Sequence, residues 1–317
     1  MNLVFLGCGR AAAMHARTLA RIGGVTLGFA SRTRERADSY RRRFGAREAF
    51  GSYEEAVAHP SVDVAVITTP TAEHLHLAEL ALSAGKHVIV EKPAFMSVDE
   101  ADRVRACAES AGRSVMVAEN YAYKPILAFL RRQIESGALG ELRFVTLNAT
   151  KRQHSGDWRS DAQLSGGGAL FEGGVHWVSF AASLGLEIEG VHAFHAGPGR
   201  GADESTVVVF EYANGAVGTL THSWEIEAPL GGLRLSKVQG TRGAVTFESN
   251  GLAAYVSGAR RSARLFLRDP LGYSAMFRDF LDSLRAGGRR EPRFTLPMAR
   301  RDLALLEALS LGSAVPL

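Results

Sequence analysis

The sequence predicts an α/β protein with an N-terminal, doubly wound parallel sheet of Rossmann type. A C-terminal α+β domain with a large, mostly antiparallel open sheet is expected to follow. Three observations support this. Short, continuous apolar runs alternate with helical patterns through residue 118, as strands buried on both faces of a parallel sheet do. Two closely spaced glycines, Gly7 and Gly9, follow the first run. After residue 121 the pattern changes to alternating strands with hairpin signals. Single cores stop growing near about 250–300 residues, so a chain of 317 residues is expected to divide, here into 1–121 and 122–317.

Leu3-Val4-Phe5-Leu6 is the first buried strand. In the turn after it, Gly7 permits a tight bend, Gly9 lets a pyrophosphate approach the backbone, and Ala12 permits close helix–strand packing. The following segment, Ala13 to Ala20, reads as a helix whose N-terminus faces the phosphates. Gly7, Cys8, Gly9, Arg10 and Ala11 are therefore candidate cofactor-binding residues, although a plain turn would look similar. Val25 to Ala30 is the second strand, and it ends in Ser31-Arg32 rather than in a carboxylate. Asp or Glu there would accept from ribose hydroxyls and repel a 2′-phosphate, whereas Ser31 can donate to that phosphate and Arg32 can pair with it. The expected cofactor is NADP(H), with NAD(H) as the alternative. A polar loop before a helix from Glu35 to Phe44 would also account for these residues.

Asp63 to Pro70 is the third strand, and Thr71 to His74 opens a helix that stops at Ala84-Gly85. His74 and His76 stand two apart on that helix, so they face different ways and no metal site is expected. Lys86 to Val90 is the fourth strand and runs directly into Glu91-Lys92-Pro93. The carboxyl edge of an open α/β sheet is where ligands bind, and a lysine there can hydrogen-bond a substrate hydroxyl and help move its proton. An exposed ion pair after a strand is the bland alternative. Ser114 to Ala118 is the fifth strand, ending at Glu119-Asn120-Tyr121.

Beyond that point Lys124 to Ser136 reads as a helix and Leu142 to Ala149 as a half-buried strand. The long polar stretch from Lys151 to Gly168 holds His154, Trp158 and Arg159. An indole face suits a sugar ring and a guanidinium suits hydroxyls or a carboxylate, so Trp158 and Arg159 are candidate substrate contacts. If Ala169 to His176 is helical, Glu172 and His176 share a face. That spacing suits an acid/base pair and a surface ion pair equally well. Hairpins are expected around Asn214-Gly215 and around Gly240 to Gly243, a further strand at Phe266, and helices over Tyr273–Arg285 and Met298–Leu311. Trp224 is expected in the core or at an interface.

Gly7-Cys8-Gly9, Thr69-Pro70-Thr71 with His74, Ala84-Gly85-Lys86-His87, Glu91-Lys92-Pro93 and Asn120, in this order, resemble the Gfo/Idh/MocA oxidoreductases. The resemblance implies that Lys92 lies beside nicotinamide and substrate. It implies that Glu91, Thr69, Pro70, His74 and Asn120 lie near the cofactor, and that Glu172 and His176 belong to the active site. In this reading Lys92 and His176 hydrogen-bond the reacting oxygen, and Glu172 and Asn120 orient hydroxyls or the lysine. Two positions depart from the family pattern: Glu172 is one methylene longer than the usual Asp, and Ser179 replaces a frequent Asp. The implied activity is NADP(H)-dependent hydride transfer to or from a secondary alcohol or ketone of a sugar, cyclitol or related polyol. A homodimer or homotetramer through the C-terminal sheet is implied too. An NAD-dependent glycosidase using transient sugar oxidation and a non-catalytic cofactor sensor are the rival readings.

Composition narrows the classes. Lys and Arg number 37 against 33 Asp and Glu, an excess too small to argue for nucleic acid. The arginines at residues 32–43 and at 289, 290, 293, 300 and 301 are expected to be solvated, Arg32 excepted. Two cysteines, Cys8 and Cys107, exclude a disulfide framework and suit a reducing cytoplasm. No apolar run approaches the roughly 20 residues of a membrane span.

Overall fold

Strands β1 (Asn2–Leu6), β2 (Thr26–Ala30), β3 (Glu48–Phe50), β4 (Val64–Ile67), β5 (His87–Val90) and β6 (Val115–Val117) pair in parallel in the order β3-β2-β1-β4-β5-β6. This computed structural model describes residues 1–153, 164, 166–197, 204–228, 232–259, 261–287 and 290–310. The central strands are apolar because both faces are covered: Val4, Phe5, Leu6, Val64, Ala65 and Ile67 are fully buried. Helices α1 (Arg10–Ile22), α2 (Arg34–Phe44), α3 (Tyr53–Ala58), α4 (His74–Ser83) and α5 (Val98–Ala111) supply the connections. Ser52 and Ser97 cap α3 and α5, accepting from Glu55 N–H and Glu100 N–H. The strand order reverses between β1 and β4, which puts the ligand crevice of such a sheet at the carboxyl ends of these strands.

Two elements escaped the sequence reading. The three-residue β3 is too short to show a period, and α3 lies between it and β4. They make the expected third, fourth and fifth strands β4, β5 and β6.

The chain divides into two units, Met1–Glu119 with Tyr273–Arg300, and Asn120–Gly272 with the chain from Arg301. The first break lies two residues before the expected one. The return of Tyr273–Arg300 to the first unit was not foreseen. Within that unit helix α8 (Tyr273–Arg285) packs on α1. Buried Asp279 on α8 accepts from the Arg290 guanidinium and from Arg293 N–H. Arg300 holds Asp102 of α5 through both carboxylate oxygens. The expectation of a merely solvated side chain is corrected for Arg300, because a partly covered guanidinium is retained where a carboxylate forks onto it, whereas Arg290 and Arg293 are exposed as expected. Arg301, in the second unit, likewise donates to Asp302 and to Ala182 O.

The second unit is built on β7 (Leu142–Thr150), β8 (Ile188–His195), β9 (Ser205–Tyr212), β10 (Val217–Ser223), β11 (Leu235–Gly240), β12 (Gly243–Glu248), β13 (Ala253–Gly258) and β14 (Ser262–Leu265). Their order is β14-β13-β12-β11-β7-β10-β9-β8, with only β7 and β10 parallel. Both expected hairpins are present, and Gly215 takes the left-handed turn at φ 77°. Phe266 lies just past β14, where its N–H still donates to Leu252 O. Val145, Leu147, Val208, Phe210, Leu220 and Val238 point from the sheet into a core with Ile126, Leu130, Val178 and Phe180. These last come from α6 (Pro125–Glu135) and α7 (Val175–Ala182). Leu305 and Leu309 of α9 (Leu296–Ser310) join them. Phe144, Phe194, Leu235, Tyr255 and Leu265 stay exposed. No helix among the described residues is long and apolar enough to cross a membrane.

Gly7 shows the tightest constraint at the sheet edge. Its φ is 109°, and a Cβ there would stand 3.0 Å from the Thr68 carbonyl oxygen. Gly7→Ala should lower stability by about 1–3 kcal/mol, read as a lower thermal midpoint. An unchanged midpoint would show that the turn relaxes without strain.

Candidate functional site

At the carboxyl edge of the first sheet the glycine turn is held from behind. Gly7 N–H donates to Ala30 O at 3.0 Å. Thr68 Oγ1 donates toward Leu6 O and Gly7 O, each 3.1 Å away. Arg36 of α2 donates to Cys8 O through Nε and Nη2, at 3.2 and 3.0 Å, and its guanidinium lies 5.2 Å from the Tyr40 ring. Tyr40 OH donates to Gly9 O. Burial, against the opposing charge of Arg36, pushes the Cys8 thiol up to about 11, so it remains a small neutral spacer.

These residues fit a dinucleotide. A Cβ built at Gly9 would meet nothing within 4 Å, so the space a phosphate needs beside the backbone is open. Gly9 caps α1 without a side-chain hydrogen bond. Arg10 and Ala11 follow it, at the end of a helix where N–H groups have no intrahelical acceptor. Among the described residues the buried Thr69 hydroxyl has no partner. Ser31 is half-buried, while Arg32 and Arg36 are exposed beyond the end of β2. The sequence reading missed Arg36, whose only local sign is its spacing of four from Tyr40.

Two strands from β1, at the same edge, the chain leaves β5 through Glu91 and Lys92. Glu91 Oε1 pairs with Nε2 of His15 on α1, and Oε2 accepts from Lys92 N–H at 3.0 Å. Burial opposes ionisation of Glu91. The His15 charge and hydrogen bond, with the Lys92 charge and N–H, outweigh it and hold the carboxyl at about 2. His15 is wholly buried, edge-on to Tyr273 and Phe277, and its Nδ1 has no hydrogen-bond partner. It too escaped the sequence reading. Its sign was a polar residue on the buried stripe formed by Ala12, Ala16 and Leu19.

His74 is fully enclosed. Its Nε2 faces Thr69 O at 3.0 Å, and its Nδ1 faces Pro93 O and Ala94 O at 3.1 and 3.0 Å. Burial lowers its pKa against the pull of these carbonyls. Its visible task is to tie the Thr69-Pro70 turn to the segment that follows Lys92.

In the second unit, the turn from Leu170 to Gly174 is π-helical and leads into α7. Glu172 and His176 were expected on one regular helix. The wide turn instead carries Glu172, which is buried, and α7 carries half-buried His176. Wide turns of this kind recur at functional sites. Trp224 lies so close over Gly173 that a Cβ there would stand 2.8 Å from its ring. His222 of β10 is buried, and burial lowers its pKa to about 4; Glu172 raises it, and Arg234 and His176 lower it further. Sequence reasoning had not placed His222 or Arg234 near Glu172 and His176. Ser179 is buried in α7, and its hydroxyl has no partner. Asn120 is buried, and its amide donates to Leu271 O at 2.7 Å. His154, Trp158 and Arg159 lie outside the described residues.

The depressed pKa of Glu91 has a testable sign. Its ionised form stabilises the fold above its ordinary 4.5, and that stabilisation is lost as pH falls toward about 2. It amounts to on the order of 3 kcal/mol. His15→Phe keeps the ring packing but leaves the carboxylate unpaired, so stability at pH 7 should drop by about 3 kcal/mol. The acid-side slope between about pH 5 and 3 should flatten. Denaturant midpoints measured across this range check it, and parallel curves for variant and parent would refute the pairing.

Comparison with known proteins agrees with this geometry. Residues 1–119 match the oxidoreductase family with an NAD-binding Rossmann fold, and residues 127–246 match the GFO/IDH/MocA C-terminal domain. Trans-1,2-dihydrobenzene-1,2-diol dehydrogenase of Bos taurus is 31% identical over 233 residues, covering 72% of this chain and 67% of its own. The chain spans 62–67% of the length of the first curated relatives it matches. Aldose-aldose oxidoreductase of Caulobacter crescentus superposes with a TM-score of 0.88 at 23% identity, over 100% of this chain and 99% of its own. A levoglucosan dehydrogenase in complex with NADH superposes with a TM-score of 0.86 at 22% identity, over 100% and 98%. Matches to both halves, over a sheet with the dinucleotide-binding strand order, place the chain in the Gfo/Idh/MocA oxidoreductase family.

Proposed function

We propose that this protein is an NADP(H)-dependent oxidoreductase acting on a secondary alcohol or ketone of a sugar, cyclitol or related polyol. One observation carries the reading: Lys92 leaves the sheet at the same carboxyl edge as the open Gly7–Gly9 cradle, two strands away. Two strand spacings are roughly 10 Å, which suits the nicotinamide half of a dinucleotide whose pyrophosphate lies at Gly9. The nicotinamide supplies hydride exchange at its C4 when bound. Gly7, Cys8, Gly9, Arg10 and Ala11 would hold the pyrophosphate, and Thr69 and Pro70 would line its path.

The protein's own residues manage position and protons. Lys92, its backbone tied through Glu91 to α1, would donate to the reacting oxygen. His176 would share that oxygen, and one of the two would carry its proton. Glu172 would accept from a neighbouring hydroxyl, and Trp158 and Arg159 would contact the sugar ring. Support for NADP(H) over NAD(H) comes from Ser31 and Arg32, and from Arg36, which Cys8 O and Tyr40 hold beside the turn. The exposed apolar residues of the second sheet support a homodimer or homotetramer formed through that face.

Both cofactors should be tried with trans-1,2-dihydrobenzene-1,2-diol, levoglucosan, glucose, xylose and myo-inositol. Turnover is expected with at least one of these. Lys92→Met and His176→Ala should each lose about 10²- to 10⁴-fold in kcat while still binding NADP+. Near-normal rates in both would sink the assignment. Arg32→Asp should lower kcat/KM for NADP+ by about tenfold or more and spare NAD+. A parent enzyme faster with NAD+ would overturn the cofactor preference. Sedimentation of the purified chain tests assembly, for which Phe144→Asp should favour the monomer.

A further inference from the structure

Lys124 is a buried lysine with no part in the chemistry above. It stands at the N-cap of α6, and its side chain is almost wholly excluded from solvent. Burying an ammonium is unfavourable, and a helix N-terminus is a poor neighbour for a cation, so this residue needs strong compensation. Part of that compensation is visible. Nζ lies 3.5 Å from the centroid of the Tyr121 ring and 5.9 Å from that of Trp177. A desolvated ammonium over an aromatic face is among the stronger contacts of its kind.

The same tyrosine ring is stacked on His176, with centroids 4.5 Å apart and planes 11° from parallel. The ammonium and the imidazole therefore hold one and the same ring, both through its π-face. Trp177 and Phe180 meet Tyr121 edge-on at 78° and 86° and block its sideways movement. Stacking engages the face of the imidazole, so it restrains the plane of His176.

We propose that Lys124 is a positioning residue for His176, acting through the ring of Tyr121, which it holds through the π-face and on which the imidazole is stacked. The functional part rests on the role given to His176 above; the stack itself does not. Removing the charge lets Tyr121 tilt and the imidazole plane follow, so the proton-transfer geometry is degraded while substrate binding is retained.

The test uses the full chain with NADP+ bound and the histidine rings isotopically labelled, read by NMR. It also uses kcat and KM for the most rapidly oxidised compound of the panel above. Lys124→Met should shift and broaden the His176 ring resonances and lower kcat by about tenfold with KM little changed. Tyr121→Leu should do the same, and Tyr121→Phe, which keeps the ring, should retain the parent values. If Lys124→Met fails to fold, the comparison of the two Tyr121 variants decides. Unchanged His176 resonances and kcat in Lys124→Met or in Tyr121→Leu overturn the proposal. If no compound of the panel is turned over, the functional reading fails, and the resonances alone decide the stack.

Discussion

The ion pair between His15 and Glu91 is the contact on which the first unit's candidate site depends. A carboxylate at the end of a buried strand is costly unless its charge is answered, and here the answer comes from the helix that opens at the glycine turn. The pair joins α1, the helix that opens at the glycine turn, to the strand exit that carries Lys92. Tyr273 and Phe277 close over the imidazole, so α8 is recruited to the same point despite its distance in sequence. The fold thus uses one buried charge to fix the relation between the glycine turn's helix and the end of β5.

His74 works in the same direction by a different means. Its ring spans three carbonyls and ties the turn after β4 to the turn after β5. A protonated ring nitrogen donates to a backbone carbonyl, and His74 can do so to either irregular segment. The carboxyl edge of the sheet is therefore braced at β1, β4 and β5, where strand order makes the ligand crevice.

The second unit solves a related problem with aromatic rings. Glu172 sits in a wide turn that exists because Gly173 and Gly174 leave room for Trp224 and Leu170. Tyr121 is stacked on His176 and holds the Lys124 ammonium against its ring. Glu172, Arg234 and His176 all act on buried His222, the carboxylate raising its pKa and the other two lowering it.

The sequence by itself determined the sheet type, the glycine turn, the exit of Lys92 at a carboxyl edge and the hairpin-rich character of the second half. Each of these is a local matter: buried parallel strands must be apolar throughout, a tight phosphate turn needs glycine, and hairpins need left-handed residues. The motif order also singled out Glu91-Lys92, which follow β5, and Glu172 and His176, which lie in the wide turn and in α7. Tertiary structure alone decided what anchors them. His15 meets Glu91 across 76 residues, and His176 meets Tyr121 from a separate helix. Tyr273–Arg300 groups with the first unit although the second unit's strands lie before it in sequence. No periodicity or spacing encodes such pairings, because they arise only when separate elements are packed and each buried charge must find its partner among whatever that packing brings near.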